Sequence, residues 1–325
     1  MMANTPVITV VIPTHNRAKI ICRALASVAA QTMTDYEIVV VDDGSQDDTK
    51  QVLQQLAAPK FQLLRNERGL GVAAARNRGA AAAAGELITF LDDDDELRPY
   101  ALAELLKRHQ SLRRSDFLWG GRLVHEMDAA DRFIATREDA WAPLPDTLEG
   151  TTFLPLVLRI ATNSAFTIRR TVFEALGGFD EKLRVSEDRD LFIALARGGY
   201  AGSAVARTII DVNEGYTSLS RSTGLRAGGD MDLQVIEKHR AYLDLPAHRD
   251  FLDSYLVAVF LAFLEAGNRR SAMRTFRELR RRRALYLGLL RKYVRHAPEF
   301  RMLKSIFRYD AIRRFRNRLK LRNGQ

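Results

Sequence analysis

Three acidic clusters stand out in the 325-residue sequence: Asp42-Asp43-Gly44-Ser45, Asp92-Asp93-Asp94-Asp95 and Glu187-Asp188. Four adjacent carboxylates repel one another unless a cation sits among them. Oxygen-rich sites of this kind suit Mg²⁺ or Mn²⁺, which keep waters and share coordination with substrate phosphates. An isolated acidic run is more often a solvated turn. Here the run follows Leu87-Ile-Thr-Phe-Leu91, a stretch with no polar face, and that position favours a functional site. Glu187-Asp188 also has a bland explanation, because negative charge is favoured at a helix N-terminus by the dipole alone.

The elements that must position these groups alternate as βαβ units. Val7 to Ile12 and Glu37 to Val41 are continuous β-branched runs, as expected for strands buried on both faces. Phe61 to Leu64 is a short third strand, and Glu86 to Leu91 a fourth that runs straight into the aspartates. Helices are expected at about Ala18 to Gln31, Asp48 to Ala57, Gly71 to Ala84, and from Pro99 to about Arg114. Two acidic clusters therefore follow strands, where open α/β sheets bind ligands. The middle of the chain predicts short strands at Phe117 to Trp119, Arg122 to Glu126 and Arg132 to Ala135, with turns at Gly120-Gly121 and Asp128 to Asp131. Asn163 to Ile168 predicts another strand. Thr171 to Leu176 and Glu187 to Arg197 predict helices, and everything from about Met231 onward reads as helix.

Charge divides the chain. The whole carries 50 Lys+Arg against 40 Asp+Glu, a net of +10. From Arg269 to the end there are 20 basic and 3 acidic residues, a net of +17 over 57 positions, which leaves −7 on the rest. The sequence thus describes a mildly acidic body and a strongly basic tail. Cys22 is the single cysteine, so no intramolecular disulfide forms and a reducing compartment is expected. The apolar run at Val7 to Ile12 has no basic residues ahead of it and does not predict a signal peptide. The longest apolar run, Tyr255 to Leu264, is half the length of a bilayer span; it predicts a buried helix.

Six segments in order resemble the family-2 glycosyltransferases of the GT-A fold: Val10-Val-Ile-Pro-Thr-His-Asn-Arg17, Val40-Val-Asp-Asp-Gly-Ser-Gln-Asp-Asp-Thr49, Gly71-Val-Ala-Ala-Ala-Arg-Asn-Arg-Gly79, Gly85 to Pro99 with its four aspartates, Gly177-Gly-Phe-Asp-Glu181, and Ser186-Glu-Asp-Arg-Asp-Leu191. Each piece alone is weak, but six at matching spacings over about residues 6 to 220 are specific. The resemblance implies a Rossmann-like mixed sheet flanked by helices, with a GT-A domain over residues 1–225 and a helical region over 226–325.

It also implies an inverting sugar transfer from a nucleotide-diphosphate sugar, a UDP-sugar being favoured, to a hydroxyl of a saccharide or lipid-linked acceptor in cell-surface glycan synthesis. By that resemblance Pro13, Thr14, Asn16 and Arg17 lie in the loop after the first strand and border the base. Asp43, or Asp42 beside it, bonds the base or ribose. Arg76 stands near the base or phosphates, and Asn77 caps or braces the loop. The Asp-x-Asp metal motif falls on Asp92 and Asp94, with Asp94 as direct ligand to Mn²⁺ or Mg²⁺ and Asp92 or Asp93 toward the ribose. Because all four positions are aspartate, the register stays open. Asp188 matches the base that takes the acceptor proton, and Glu187 holds the acceptor or orients that base. One departure concerns a histidine that many members carry after this helix: here Asp211-Val-Asn-Glu-Gly-Tyr-Thr-Ser-Leu-Ser-Arg-Ser222 offers Asn213 or Glu214 instead, so the third metal ligand is open. Ser218, Ser220 and Arg221 form either a loop over the diphosphate or a plain surface loop.

Other residues carry less. His15 is read as a base-pocket wall, His109 as structural and His125 as a hairpin residue. Trp119 and Trp141 flank the expected acceptor cleft or belong to the core. In the tail, apolar positions such as Phe300, Leu303, Ile306 and Phe307 recur at helical spacing among arginines. That pattern suits an anionic membrane surface, placing the chain on the cytoplasmic face. A helical unit packing on the body or on a second subunit, as a homo-oligomer, is the next reading. Nucleic acid is the least favoured partner, since no recognised module is present. A non-catalytic scaffold that kept the fold is the alternative to an enzyme, and the intact acidic motifs oppose it.

Overall fold

The computed structural model describes residues 5–56, 60–112, 114–127, 132–139, 144–158, 160, 164–214 and 224–282. Its centre is a mixed sheet. Strands β1 (Ile8–Thr14), β2 (Tyr36–Asp42), β3 (Phe61–Arg65) and β4 (Leu87–Phe90) are parallel, in the spatial order β3-β2-β1-β4. Helices α1 (Ile21–Ala29), α2 (Thr49–Gln55) and α3 (Val72–Ala81) connect them. β1 has no solvated face. Ile8, Val10 and Ile12 pack with α1 and Leu53 of α2 on one side, while Val11 joins Val39, Val41 and the α3 alanines on the other. The alternation is hidden in the sequence because both faces are covered.

Beyond β4 the sheet changes direction. β5 (Glu96–Leu97) and helix α4 (Ala101–Ser111) follow the aspartates, then β6 (Phe117–Met127), β7 (Phe133–Asp139), β8 (Thr167–Arg169), helices α5 (Arg170–Ala175) and α6 (Glu187–Arg197), and β9 (Gly202–Glu214). β8 runs antiparallel to β4 and β6, β6 is parallel to β9, and β5 pairs antiparallel with β9. The expected turn at Gly120-Gly121 does not exist. Those residues lie inside one 11-residue strand, at two register shifts against β9. A Cβ on Gly120 would meet the Ile209 side chain at 2.5 Å, and one on Gly121 the Thr208 backbone at 3.1 Å. The glycine pair serves close strand approach at an irregularity, not chain reversal. β9, a 13-residue strand, is not among the elements that the sequence predicts. Asn163 lies outside the described residues, and the strand expected there is the short β8.

The chain then becomes helical, with α7 (Gly224–Lys238), α8 (Arg240–Leu243), α9 (Arg249–Glu265) and α10 (Arg269–Arg282). Tyr255 to Leu264 lies in α9, and Tyr255, Leu256, Val257, Val259, Phe260 and Phe263 are buried. Among the described residues no helix is long and apolar enough to cross a membrane. These helices share one core with α6 and the α3 side of the sheet. Residues 283–325, most of the basic tail, lie outside the described residues.

Candidate active site

The crevice lies at the carboxyl ends of β1, β2 and β4. Pro13 and Thr14 are the last residues of β1 rather than loop residues, pairing with Val41 and Asp42. Asn16 laces the two loops together: its N–H donates to Ser45 Oγ at 2.9 Å, and its Oδ1 accepts from the Gln46 N–H at 2.7 Å. His15 Nδ1 is 2.8 Å from the Asp43 carbonyl. Asp42 and Asp43 are buried and engaged. Asp42 accepts from the Ser45 N–H and pairs with Arg65. Asp43 accepts from Asn66 Nδ2 at 2.6 Å, from the Leu70 N–H at 3.0 Å and from the Gly71 N–H at 2.8 Å. Both therefore fix the loops around the ends of β1 to β3.

Gly44 has φ of +74°, and a Cβ there would sit 2.5 Å from the Arg68 carbonyl carbon. Gly44→Ala combines a left-handed backbone with a collision against main chain. It is expected to lower stability by more than about 2 kcal/mol in urea unfolding. A loss below about 0.5 kcal/mol, the range of ordinary surface changes, would show that the loop yields freely.

The four aspartates face different surroundings. Thr14 donates its hydroxyl hydrogen to Asp93 Oδ2 at 2.6 Å. Burial pushes Asp93 up to about 7; the Thr14 bond and Arg17 oppose this, and Asp94 adds to it. Asp95 is buried, accepts from the Asn213 N–H at 3.0 Å, and is pushed well up by burial. Asp92 and Asp94 keep the most open side chains, at 30% and 25% exposure. Burial and then Asp92 raise the Asp94 carboxyl, with Arg17 opposing. Arg17 lies 3.9 Å from both Asp93 and Asp94. The Asn213 amide donates to the Asp94 carbonyl at 2.8 Å, so this residue braces the aspartate loop from β9. Ser164 Oγ accepts from the Asp92 N–H at 3.0 Å. Ser164 was not foreseen, and nothing local in the sequence marks it.

Arg76 connects the run of four aspartates to the third cluster. α3 packs closely on β1 and β2 through its alanines, which brings this buried guanidinium between Asp92 and Glu187. Nη1 donates to Glu187 Oε1 at 2.7 Å and Nη2 donates to Asp92. Burial opposes the charge on Arg76, but Asp92 and Glu187 outweigh it and hold its pKa above the ordinary arginine value. Burial pushes Glu187 up to about 7, against Arg76 and with Asp188. Asp188, half-buried beside it, is also raised by burial, against the Arg189 charge and N–H. Asn77 braces as expected: its amide donates to the Phe179 carbonyl at 2.9 Å and its Oδ1 accepts from the Phe179 N–H at 2.8 Å.

Helix α6 is held from outside the sheet. Arg189 donates to both Asp232 oxygens of α7, at 2.6 and 2.7 Å, and Tyr255 of α9 donates its hydroxyl to the same carboxylate at 2.8 Å. Asp190 meets His239 at 2.8 Å and Lys238 at 2.8 Å. Arg189 and Asp190 stood in the quoted motif without a role. Their partners are far away in sequence, so spacing could not have found them. Asn16, Ala165 and Ser186 are the described non-glycine residues with positive φ. All three stand at this crevice, where backbone strain tends to collect.

A small recess opens beside Ser164, lined also by Trp119, Arg122, Phe166 and Ile210. Trp119 is both recess wall and core: it is 3% exposed and its ring stacks on Phe117. Trp141, Ser218, Ser220 and Arg221 lie outside the described residues. His109 is half-buried, 3.5 Å from Glu86, and away from the acidic clusters. His125 is in β6, its Nε2 2.9 Å from Asp211.

A doubly covered sheet with an acidic crevice at its strand ends defines a nucleotide-sugar-binding fold of the GT-A type. The S. aureus TarS structure with UDP superposes with a TM-score of 0.60, covering 77% of this chain and 72% of that one at 17% identity. The same protein with UDP-GlcNAc gives 0.59 at 16% identity, covering 84% and 90%. The model of Glycosyl transferase family 2 matches residues 9–177, and the chain belongs to that family. Its relatives include the putative colanic acid biosynthesis glycosyl transferase WcaA of Escherichia coli, 29% identical over 68% of this chain and 78% of that protein. The succinoglycan biosynthesis protein ExoO of Rhizobium meliloti is 32% identical over 65% and 60%. The GalNAc(5)-diNAcBac-PP-undecaprenol β-1,3-glucosyltransferase of Campylobacter jejuni is 41% identical over 32% and 34%. The match thus spans about a third of the Campylobacter enzyme's own length.

Proposed function

We propose that this glycosyltransferase moves a sugar, with inversion, from a nucleoside-diphosphate sugar to a hydroxyl of a saccharide or lipid-linked acceptor in cell-surface glycan synthesis. The carrying observation is the Arg76 bridge, which sets Asp92 on one side of a buried cation and Glu187-Asp188 on the other. A UDP-sugar is the favoured donor, in line with the UDP and UDP-GlcNAc of the TarS structures. Pro13, Thr14, Asn16, Asp42 and Asp43 form the base and ribose walls, and Arg17 and Arg76 bring positive charge toward the diphosphate.

In the transfer, Asp188 takes the acceptor hydroxyl proton as that oxygen attacks the anomeric carbon. The bond from that carbon to the diphosphate oxygen breaks, and the nucleoside diphosphate leaves with the electron pair. Glu187, fixed by Arg76, orients the base. Asp92 and Asp94 fit a hard divalent ion such as Mn²⁺ or Mg²⁺, being oxygen donors with open side chains beside further carboxylates. Among the described residues no three His, Cys, Asp or Glu side chains gather for a metal, so water and diphosphate oxygens would complete the shell. When bound, the ion neutralises charge on the leaving diphosphate.

Asp94→Ala is expected to weaken Mn²⁺-dependent binding of a UDP-sugar by at least about tenfold in calorimetry, a loss of roughly 1.4 kcal/mol. Unchanged affinity would remove Asp94 from the metal site. A thermal-shift screen across nucleotide sugars identifies the donor. The basic segment from Arg269 onward sets the location, a peripheral position on the cytoplasmic face of a membrane, which suits a lipid-linked acceptor.

A further inference from the structure

Helix α10 separates its arginines by function. Arg282 is its anchor, donating to Asp253 and Asp244 of the neighbouring helical region. Its one acid, Glu278, is held by Arg240 at 2.8 Å. Ala272, Thr275 and Leu279 form the buried side, and the Phe276 ring lies 5.9 Å from that of Phe260 in α9. The other six arginines, Arg269, Arg270, Arg274, Arg277, Arg280 and Arg281, are exposed, and none has an acidic partner among the described residues. At about 100° per residue they fall within one arc of roughly 140°, opposite the buried side, along about 18 Å of helix.

Six like charges on one face repel one another, and an anionic partner would offset that cost. Among the described residues no carboxylate pairs with this face. Residues 283–325 carry 13 Lys+Arg and only Glu299 and Asp310 as acids. We propose that this arginine face of α10 is a preformed docking surface for phosphate-bearing lipid headgroups at an anionic membrane. Guanidinium groups pair with phosphate oxygens in forked geometry, and arginine suits that work better than lysine. A lipid surface is favoured over nucleic acid because the single aromatic residue of α10, Phe276, packs against Phe260, which leaves this face of the helix without a base-stacking platform. The sequence beyond the helix continues with apolar residues among cations at amphipathic spacing, as an interface between water and hydrocarbon requires.

The surface is also rigidly placed. α10 packs on α9, and Tyr255 of α9 bonds the same Asp232 that grips Arg189 in the first turn of α6. Docking of α10 would hold Asp188 at a fixed height above the headgroups. This inference deepens the location proposed above and does not depend on the transfer chemistry.

The test uses the full chain and the variant Arg270→Gln/Arg274→Gln/Arg277→Gln/Arg281→Gln, which alters exposed positions only. Binding is measured by co-sedimentation with vesicles of phosphatidylcholine alone or with about 30% phosphatidylglycerol. The parent should bind only the anionic vesicles, less as salt rises, and the variant at least about a hundredfold more weakly. UDP-sugar thermal shifts should be equal in the two proteins. Loss of vesicle binding together with equal donor shifts supports the assignment. Equal vesicle binding by parent and variant would overturn it and place the contact in residues 283–325. Binding to neutral vesicles as strong as to anionic ones would also overturn it, as would tighter binding to RNA or duplex DNA at matched salt. An absent donor shift in both proteins would count against the donor reading alone.

Discussion

Asp188→Asn is expected to lower turnover by about 10²–10⁴-fold while leaving donor binding and folding close to the parent. The amide keeps the shape of the carboxyl and can still accept from the Arg189 N–H, which is 2.7 Å from Oδ1. It cannot take a proton from an acceptor hydroxyl. The contrast with Glu187 makes the experiment selective. Glu187 is locked to Arg76, whose other nitrogen reaches Asp92 on the donor side, so Glu187→Gln should disturb donor affinity as well as rate. Turnover of Asp188→Asn within about tenfold of the parent would sink the base assignment.

The pH profile gives a second reading of the same residue. Burial raises the Asp188 carboxyl above the ordinary aspartate value, although the Arg189 charge and N–H pull against it. Only the anion acts as base. Activity should therefore be full above the raised pKa and fall as pH drops through it, at higher pH than an exposed aspartate would give. In Asp188→Asn the residual rate should lose this acid limb. A limb that persists unchanged in the variant belongs to another group.

The parallel strands and the helices α1 to α3 were legible in the sequence because their signals are local. Continuous β-branched runs, helical spacing and Gly85 after the alanine stretch need no distant partner to be recognised. The acidic clusters were legible for the same reason: each is contiguous and follows or opens an element. What escaped was long-range. The Gly120-Gly121 pair looks like a turn unless one knows that Ile209 and Thr208 press against it from β9. That the loop at Asn66 to Gly71 bonds Asp43 and that Arg65 pairs with Asp42 is likewise invisible along the chain. Asp232 and His239 give no local sign of use, yet they hold the two residues that follow the base. Arg76 was placed near the phosphates by resemblance alone, while its link to Glu187 crosses 111 positions.

That link carries the largest expected effect on stability. Arg76→Met keeps the apolar stem of the side chain but removes the guanidinium, which leaves Asp92 and Glu187 without their shared cation. Removing one partner from a buried ion pair costs about 3–5 kcal/mol, and here one guanidinium serves two carboxylates. Glu187 is nearly as buried as Arg76 and already sits at about 7 with the cation present. Without Arg76 its pKa must rise further. The sign of the pH dependence follows: below that raised pKa Glu187 is neutral and the variant is spared an uncompensated charge. As pH climbs through it, burying the anion becomes unfavourable and the stability gap to the parent widens. Arg76→Met/Glu187→Gln should recover part of the loss, with a coupling of about 0.5–3 kcal/mol between the two sites. Urea unfolding at several pH values measures all of this. A loss below about 1 kcal/mol that is flat with pH would mean that water, not Arg76, compensates these carboxylates, and the bridge would then lose its place as the joint between the donor side and the base.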